Sequence, residues 1–128
     1  MKLLLDTCTF LWIASRSPLL SPRASAVFLD ESQESYLSVA SAWEISIKHT
    51  LGRLPLPERP DMWVPRVREG SGIAGLEINE DCALLAGRLP RIHDDPFDRL
   101  LVAQAIVHGL TLVTPDPEIH KYAVRVLW

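Results

Sequence analysis

A chain of 128 residues suffices for one domain burying roughly two-thirds of its unfolded surface, and 48% hydrophobic with 23% charged residues is ordinary for a globular protein. No apolar run approaches the ~18 residues of a membrane span, and the apolar part of MKLLLD is too short for a signal peptide, so no membrane association and a cytoplasmic location are expected. The formal net charge of −3 lacks the basic excess that grips nucleic acid mainly through phosphates; a nucleic-acid role would need a local basic rim and a metal.

Lys2 to Leu5 reads as a short buried strand with Asp6 at its end, and Thr7 to Ala14 as a helix turning Phe10, Leu11 and Ile13 partly inward. Ser21-Pro22 caps a second helix running to Leu29. Tyr36 to Val39 is expected to be a strand, and Ser41 to Leu51 a helix stopped by Gly52. Between Gly52 and Gly72 lie four of the ten prolines, four arginines and Trp63, with a short helix around the tryptophan. Ile73 to Ile78 is a strand, Asn79 a cap, and Glu80 to Leu89 a helix.

The next stretch, HDDPFDRLLVAQAIVHG, is the most informative. Asp95 suits an N-cap, Pro96 the first helical position and Gly109 the stop. At 100° per residue Asp98 shares a line with Leu101, Val102 and Ala105, so a carboxylate sits on the stripe expected to face the core. Leu110 to Val113 is a strand, Asp116-Pro117 opens a short helix, and Val124 to Leu127 is a last strand. Strands separated by helices at this spacing predict a three-layer α/β/α sandwich around a mostly parallel sheet, all within one domain, residues 1–128.

On that map Asp6, Glu44, Asp98 and Asp116 each follow a strand or begin a helix, and in a parallel sheet those ends share one edge. Each also has a local reading. Asp6 can cap the first helix, Ser41 to Glu44 fits a capping box with Glu44 paired to Lys48, Asp98 can serve as a capping-box acid, and Asp116 before Pro117 suits an N-cap. Two carboxylates about 5 Å apart repel by roughly 3 kcal/mol at an effective dielectric near 20, so four converging would need a cation. Oxygen-only ligands suit Mg²⁺ or Mn²⁺, and such an ion can activate water for attack on phosphorus. The hydroxyls of Thr7, Ser41 and Thr114 stand where they could orient ligands, or simply cap and turn. His93, Asp94 and Asp95 are left open as contributors. His49, His108 and His120 have no zinc-like spacing; GxxxxGK[ST], GxGxxG and GxSxG motifs are absent; and Cys8 and Cys82, in no CxxC pattern, read as reduced thiols.

The segments LLLDTCTFLW, SVASAWEISIKHTLGRL, LPRIHDDPFDRLLVAQA, LVTPDPEIHKY and VRVLW together resemble a PIN-domain ribonuclease, most of all the VapC toxins of bacterial toxin–antitoxin pairs. The match spans nearly the whole chain in the right order. The resemblance implies Mg²⁺- or Mn²⁺-dependent cleavage of single-stranded RNA, with Asp6, Glu44, Asp98 and Asp116 as the acidic metal-binding and catalytic set and Thr114 beside them. It also implies a homodimer and a small antitoxin whose C-terminal tail masks the acids. Two other classes stay open: a non-catalytic binding module, and a metal-dependent phosphatase or phosphotransfer domain with Asp6 as nucleophile. The latter expects a second Asp where Cys8 stands. Arg53, Arg59, Arg66 and Arg68 are expected to supply part of a basic rim.

Overall fold

The computed structural model describes residues 1–128. Its sheet has five parallel strands in the order β3-β2-β1-β4-β5. The central strand β1 (Lys2–Leu5) lies between β2 (Glu34–Ser38) and β4 (Thr111–Val113), and the short strands β3 (Ala74–Leu76) and β5 (Val126–Leu127) form the edges. Leu4 pairs with Tyr36 on one side and Leu112 on the other.

Strand side chains alternate between faces, and β1 divides the core accordingly. Leu3 and Leu5 join Phe10, Leu37, Ile45, Trp63 and Val113 in one apolar cluster. Leu4 joins Leu101, Val102, Leu112, Ile119 and Tyr122 in the other. The first face is covered by α1 (Thr7–Ser15), α2 (Pro22–Leu29), α3 (Val39–Thr50) and α4 (Pro60–Gly70). The second is covered by α5 (Glu80–Arg88), α6 (Pro96–His108) and a 3₁₀ turn at Ile119–Lys121. This is the expected three-layer α/β/α arrangement.

Capping signals locate the helices well. Ser21 Oγ accepts from Ala24 N–H, Asn79 from Cys82 N–H, and Asp95 from both Phe97 and Asp98 N–H; Gly109 ends α6 at φ 66°, a left-handed backbone that suits glycine. Several boundaries differ from expectation. β2 and α3 each begin two residues early, and Ser38, rather than Ser41, caps α3 through Ala40 N–H. β3 and β5 keep only three and two residues, both being edge strands paired on one side. The 3₁₀ turn begins three residues after Asp116, although Asp116 still organises it by accepting from Glu118 N–H.

Candidate active site

Parallel strand order reverses direction at β1/β4, the place where open α/β sheets form binding crevices. Asp6 follows β1 there and caps α1, its Oδ1 accepting from Thr7 N–H at 2.7 Å. Its Oδ2 accepts from the Thr114 hydroxyl, also at 2.7 Å, and more weakly from Cys8 Sγ at 3.6 Å. Thr114, fully buried just beyond β4, also accepts from the backbone N–H of Asp116 at 3.1 Å. One hydroxyl thus ties two acids together from either side of the switch point.

Because α3 starts at Ser38, Glu44 sits in its second turn rather than in a capping box. It is 8% exposed and lies on the buried stripe with Ser41 and Ile45. Lys48, one turn on, bonds Glu44 Oε2 at 2.7 Å, as the i+4 spacing predicts. Ser41 accepts from the Thr7 hydroxyl at 2.9 Å, fastening α1 to α3. Trp43, although 61% exposed, meets Phe97 edge-on at 5.5 Å and braces α3 against α6.

Asp98 does no capping, since Asp95 takes that work. Its buried Oδ2 instead lies 3.0 Å from His93 Nε2. Asp116 is half-buried and uses Oδ1 to accept from Glu118 N–H at 2.9 Å.

Asp6, Thr7, Glu44, Lys48, Asp95, Asp98 and Asp116 line one pocket of about 230 Å³, with Cys8 and Leu11. Burial pushes Asp98 up to about 7; the bond from His93 opposes this, and the charges of Asp6, Asp95 and Asp116 add to it. Asp6 is raised chiefly by burial, against its bonds to Thr114, Thr7 and Cys8, with Glu44 adding repulsion. Lys48 is raised by its bond to Glu44.

The acids line one cavity without standing as a closed ligand set for an ion. Like charges spread apart and take local partners: Glu44 turns to Lys48, Asp98 to His93, and Asp116 to the Glu118 amide. In Glu44, Asp98 and Asp116 one carboxylate oxygen makes a hydrogen bond and the other makes none. Free carboxylate oxygens on elements from both sides of the switch point are hard donors, and they fit a small divalent ion such as Mg²⁺ or Mn²⁺.

Lys48, which the sequence marked only as a helix partner of Glu44, lines the pocket, as does Asp95, the cap left open as a contributor. Tyr122, which meets His93, and Arg99, which donates to the Tyr122 hydroxyl, carried no sequence signal beyond a cation beside Asp98. Of the arginines expected to form a rim, Arg59 pairs with Asp61, Arg66 with Glu58, and Arg68 with the Ile73 carbonyl and Glu69, so three of the four are engaged within the arm. Cys8 and Cys82 are both free thiols, and burial pushes Cys8 up to about 12, which makes it inert near neutral pH.

Residues 3–125 match the PIN domain family. The chain is 32% identical over 81 residues to ribonuclease VapC16 of Mycobacterium tuberculosis, a stretch covering 57% of this chain and 57% of that protein, so it spans little more than half the relative's length. VapBC2 from Rickettsia felis, solved bound to a DNA fragment from its promoter, superposes with a TM-score of 0.74 at 15% identity, covering 99% of this chain and 98% of the other. DNA-bound VapBC from Salmonella typhimurium superposes with a TM-score of 0.70 at 21% identity, covering 99% and 97%. At those identities the solved structures speak for the fold.

Proposed function

The chain belongs to the PIN-domain family, and from that premise we propose that it is a divalent-metal-dependent endoribonuclease cutting single-stranded RNA, and the toxin of a toxin–antitoxin pair. The observation that carries this reading is the acidic pocket at β1/β4, where Asp6, Glu44, Asp98 and Asp116, from well-separated parts of the chain, line one cavity with Asp95. Asp6, Glu44, Asp98 and Asp116 would hold the ion. When bound, Mg²⁺ or Mn²⁺ supplies an acidified water and charge stabilisation for the leaving oxygen.

The chain's own residues do the rest. Thr114 donates to Asp6 Oδ2 and accepts from Asp116 N–H, fixing two of the acids relative to each other. Thr7 and Ser41 hold α1 to α3, and with them the spacing of Asp6 and Glu44. Lys48 is the one cation lining the pocket, half exposed, where its ammonium can meet a backbone phosphate. A phosphatase-like role for Asp6 as nucleophile fits less well, because both its oxygens are hydrogen-bonded and Cys8, not an acid, stands two residues on.

A cytoplasmic homodimer and a small antitoxin whose C-terminal tail masks the acids complete the proposal. The exposed apolar side chains of Leu84, Ile106 and Val107 on α5 and α6, and the apolar groove of Trp12, Ile13, Leu20 and Phe28 between α1 and α2, offer surfaces for such partners.

Cleavage of end-labelled single-stranded RNA in Mn²⁺, abolished by EDTA, is the test. Asp6→Asn and Asp98→Asn, each folded by circular dichroism, should lose on the order of 100-fold or more, beyond what supporting groups around a metal usually cost. Glu44→Gln should be similarly severe, and Asp116→Asn should leave weak cleavage that rises with Mn²⁺. Near-parental cleavage by a folded Asp98→Asn protein would remove the acids from the chemistry.

A further inference from the structure

Behind Asp98 stands a hydrogen-bonded chain of three side chains outside the pocket lining. His93 Nε2 is 3.0 Å from Asp98 Oδ2, His93 Nδ1 is 2.8 Å from the Tyr122 hydroxyl, and that hydroxyl is 3.2 Å from Arg99 Nη1. The remaining Nη hydrogens are also committed. Arg99 Nη1 also donates to the Pro90 carbonyl, and Nη2 donates to the carbonyls of Ala86 and Leu89, all at 2.9 Å. The last two close the C-terminal end of α5, where a helix leaves carbonyls without partners. All four Nη hydrogens therefore have acceptors, and the guanidinium is fixed in place.

This arrangement dictates which way each hydrogen points. An arginine side chain can only donate, so the Tyr122 oxygen accepts from Arg99 and its own hydrogen is left for His93 Nδ1. A neutral imidazole that accepts at Nδ1 carries its hydrogen on Nε2, which then donates to Asp98 Oδ2. The opposite tautomer would leave the Tyr122 hydrogen unmatched and set an imidazole lone pair against a carboxylate. The side chains of His93 and Asp98 are only 14% and 12% exposed, so either mismatch would be poorly screened.

We infer that Arg99, Tyr122 and His93 form a positioning relay for Asp98: it anchors Oδ2 from behind and leaves Oδ1 free for a cation in the pocket. The inference rests on the reading of Asp98 as a metal-holding carboxylate. None of the three relay residues lines the pocket, so each acts through Asp98.

Two measurements test it. Nitrogen-15 NMR of the metal-free protein at pH 9, with the His93 signal identified by its loss in His93→Gln, should show the neutral Nε2–H tautomer, and Tyr122→Phe should erode that preference. A pure Nδ1–H tautomer in the parent would overturn the relay. Mn²⁺ alone is then titrated into the full-length parent, Tyr122→Phe, His93→Ala, His93→Gln and Asp98→Asn. Tyr122→Phe and His93→Ala should weaken binding by about 10- to 100-fold, and His93→Gln, whose amide keeps a donor toward Oδ2, should recover most of it. A residue that merely held its loop would change the melt without this pattern of rescue. Parent-like Mn²⁺ binding by Tyr122→Phe, with binding lost in Asp98→Asn, would overturn the relay and leave the metal site standing. Identical weak titrations of parent and Asp98→Asn would overturn both. If His93→Ala fails to fold, Tyr122→Phe, which removes a single oxygen, carries the comparison.

Discussion

Asp98 is pushed up to about 7 from an ordinary value of 3.8 by burial first, and then by the charges of Asp6, Asp95 and Asp116. A carboxyl raised on folding holds its proton more tightly in the native state than in the unfolded chain. Its contribution to stability is therefore complete below about pH 4 and is lost as the pH climbs to about 7. Asp6, raised in the same direction, adds to the effect. In EDTA the melting temperature should carry a downward component between those two pH values, and Asp98→Asn should flatten it. At pH 8 without metal, Asp98→Asn should melt above the parent, because it removes a charge and keeps the shape. Were Asp98 a capping acid, the change would instead lower stability by roughly 0.5–2 kcal/mol. Since the cap is Asp95, that penalty belongs to Asp95→Ala, which should melt lower with or without metal. Thermal melts of the three proteins across pH decide between the two signs.

At the scale of elements, α3 carries Glu44 to the site, and two serines share the work of holding it. Ser38 caps the helix, while Ser41 receives the Thr7 hydroxyl. Ser38→Ala should cost about 1 kcal/mol in urea denaturation, with the same penalty in a Thr7→Ala background. Ser41→Ala should be strongly coupled to Thr7→Ala and add little once that partner is gone; additive behaviour would place Ser41 in the capping role that its spacing to Glu44 first suggests. That misplacement shows where sequence reading stops. Ser38 and Ser41 both precede helical residues, and the pairing of β2 with β3 as far as Ser38 decides which one starts the helix. Where one signal was unopposed, as at Ser21-Pro22, Asn79, Asp95-Pro96 and Gly109, the caps agree with the structure. β3 and β5 were overextended because an edge strand ends where its single neighbour ends. The four acids were legible because parallel topology sends strand ends and helix starts to one edge. Tyr122 and Arg99 were not, since their meeting depends on how the chain after β4 packs against α5 and α6.

For the whole molecule, a cation bound only by the folded pocket stabilises every element at once by mass action. At a free Mg²⁺ concentration 100 times its dissociation constant the gain is about 2.7 kcal/mol, which for a chain of this size is a rise on the order of 10 °C in Tm. Asp98→Asn should show a much smaller rise. No Mg²⁺ response in the parent would leave the pocket's acids with their local partners alone and no cation to hold.

The bond between Thr114 and Asp6 joins residues 108 positions apart, and β1 lies between β2, made early, and β4, made late. Synthesis runs from the N-terminus, so Asp6 emerges 108 residues before its partner hydroxyl. Until then β1 has one neighbour instead of two, and the pocket lacks a wall. A growing chain thus carries Asp6, Glu44 and Asp98 before β4 arrives to set them against Asp116. The same long-range closure slows refolding in a test tube. After dilution from denaturant, the helical signal should return before RNA cleavage does, and simultaneous recovery would show that the late strand is not what completes the site.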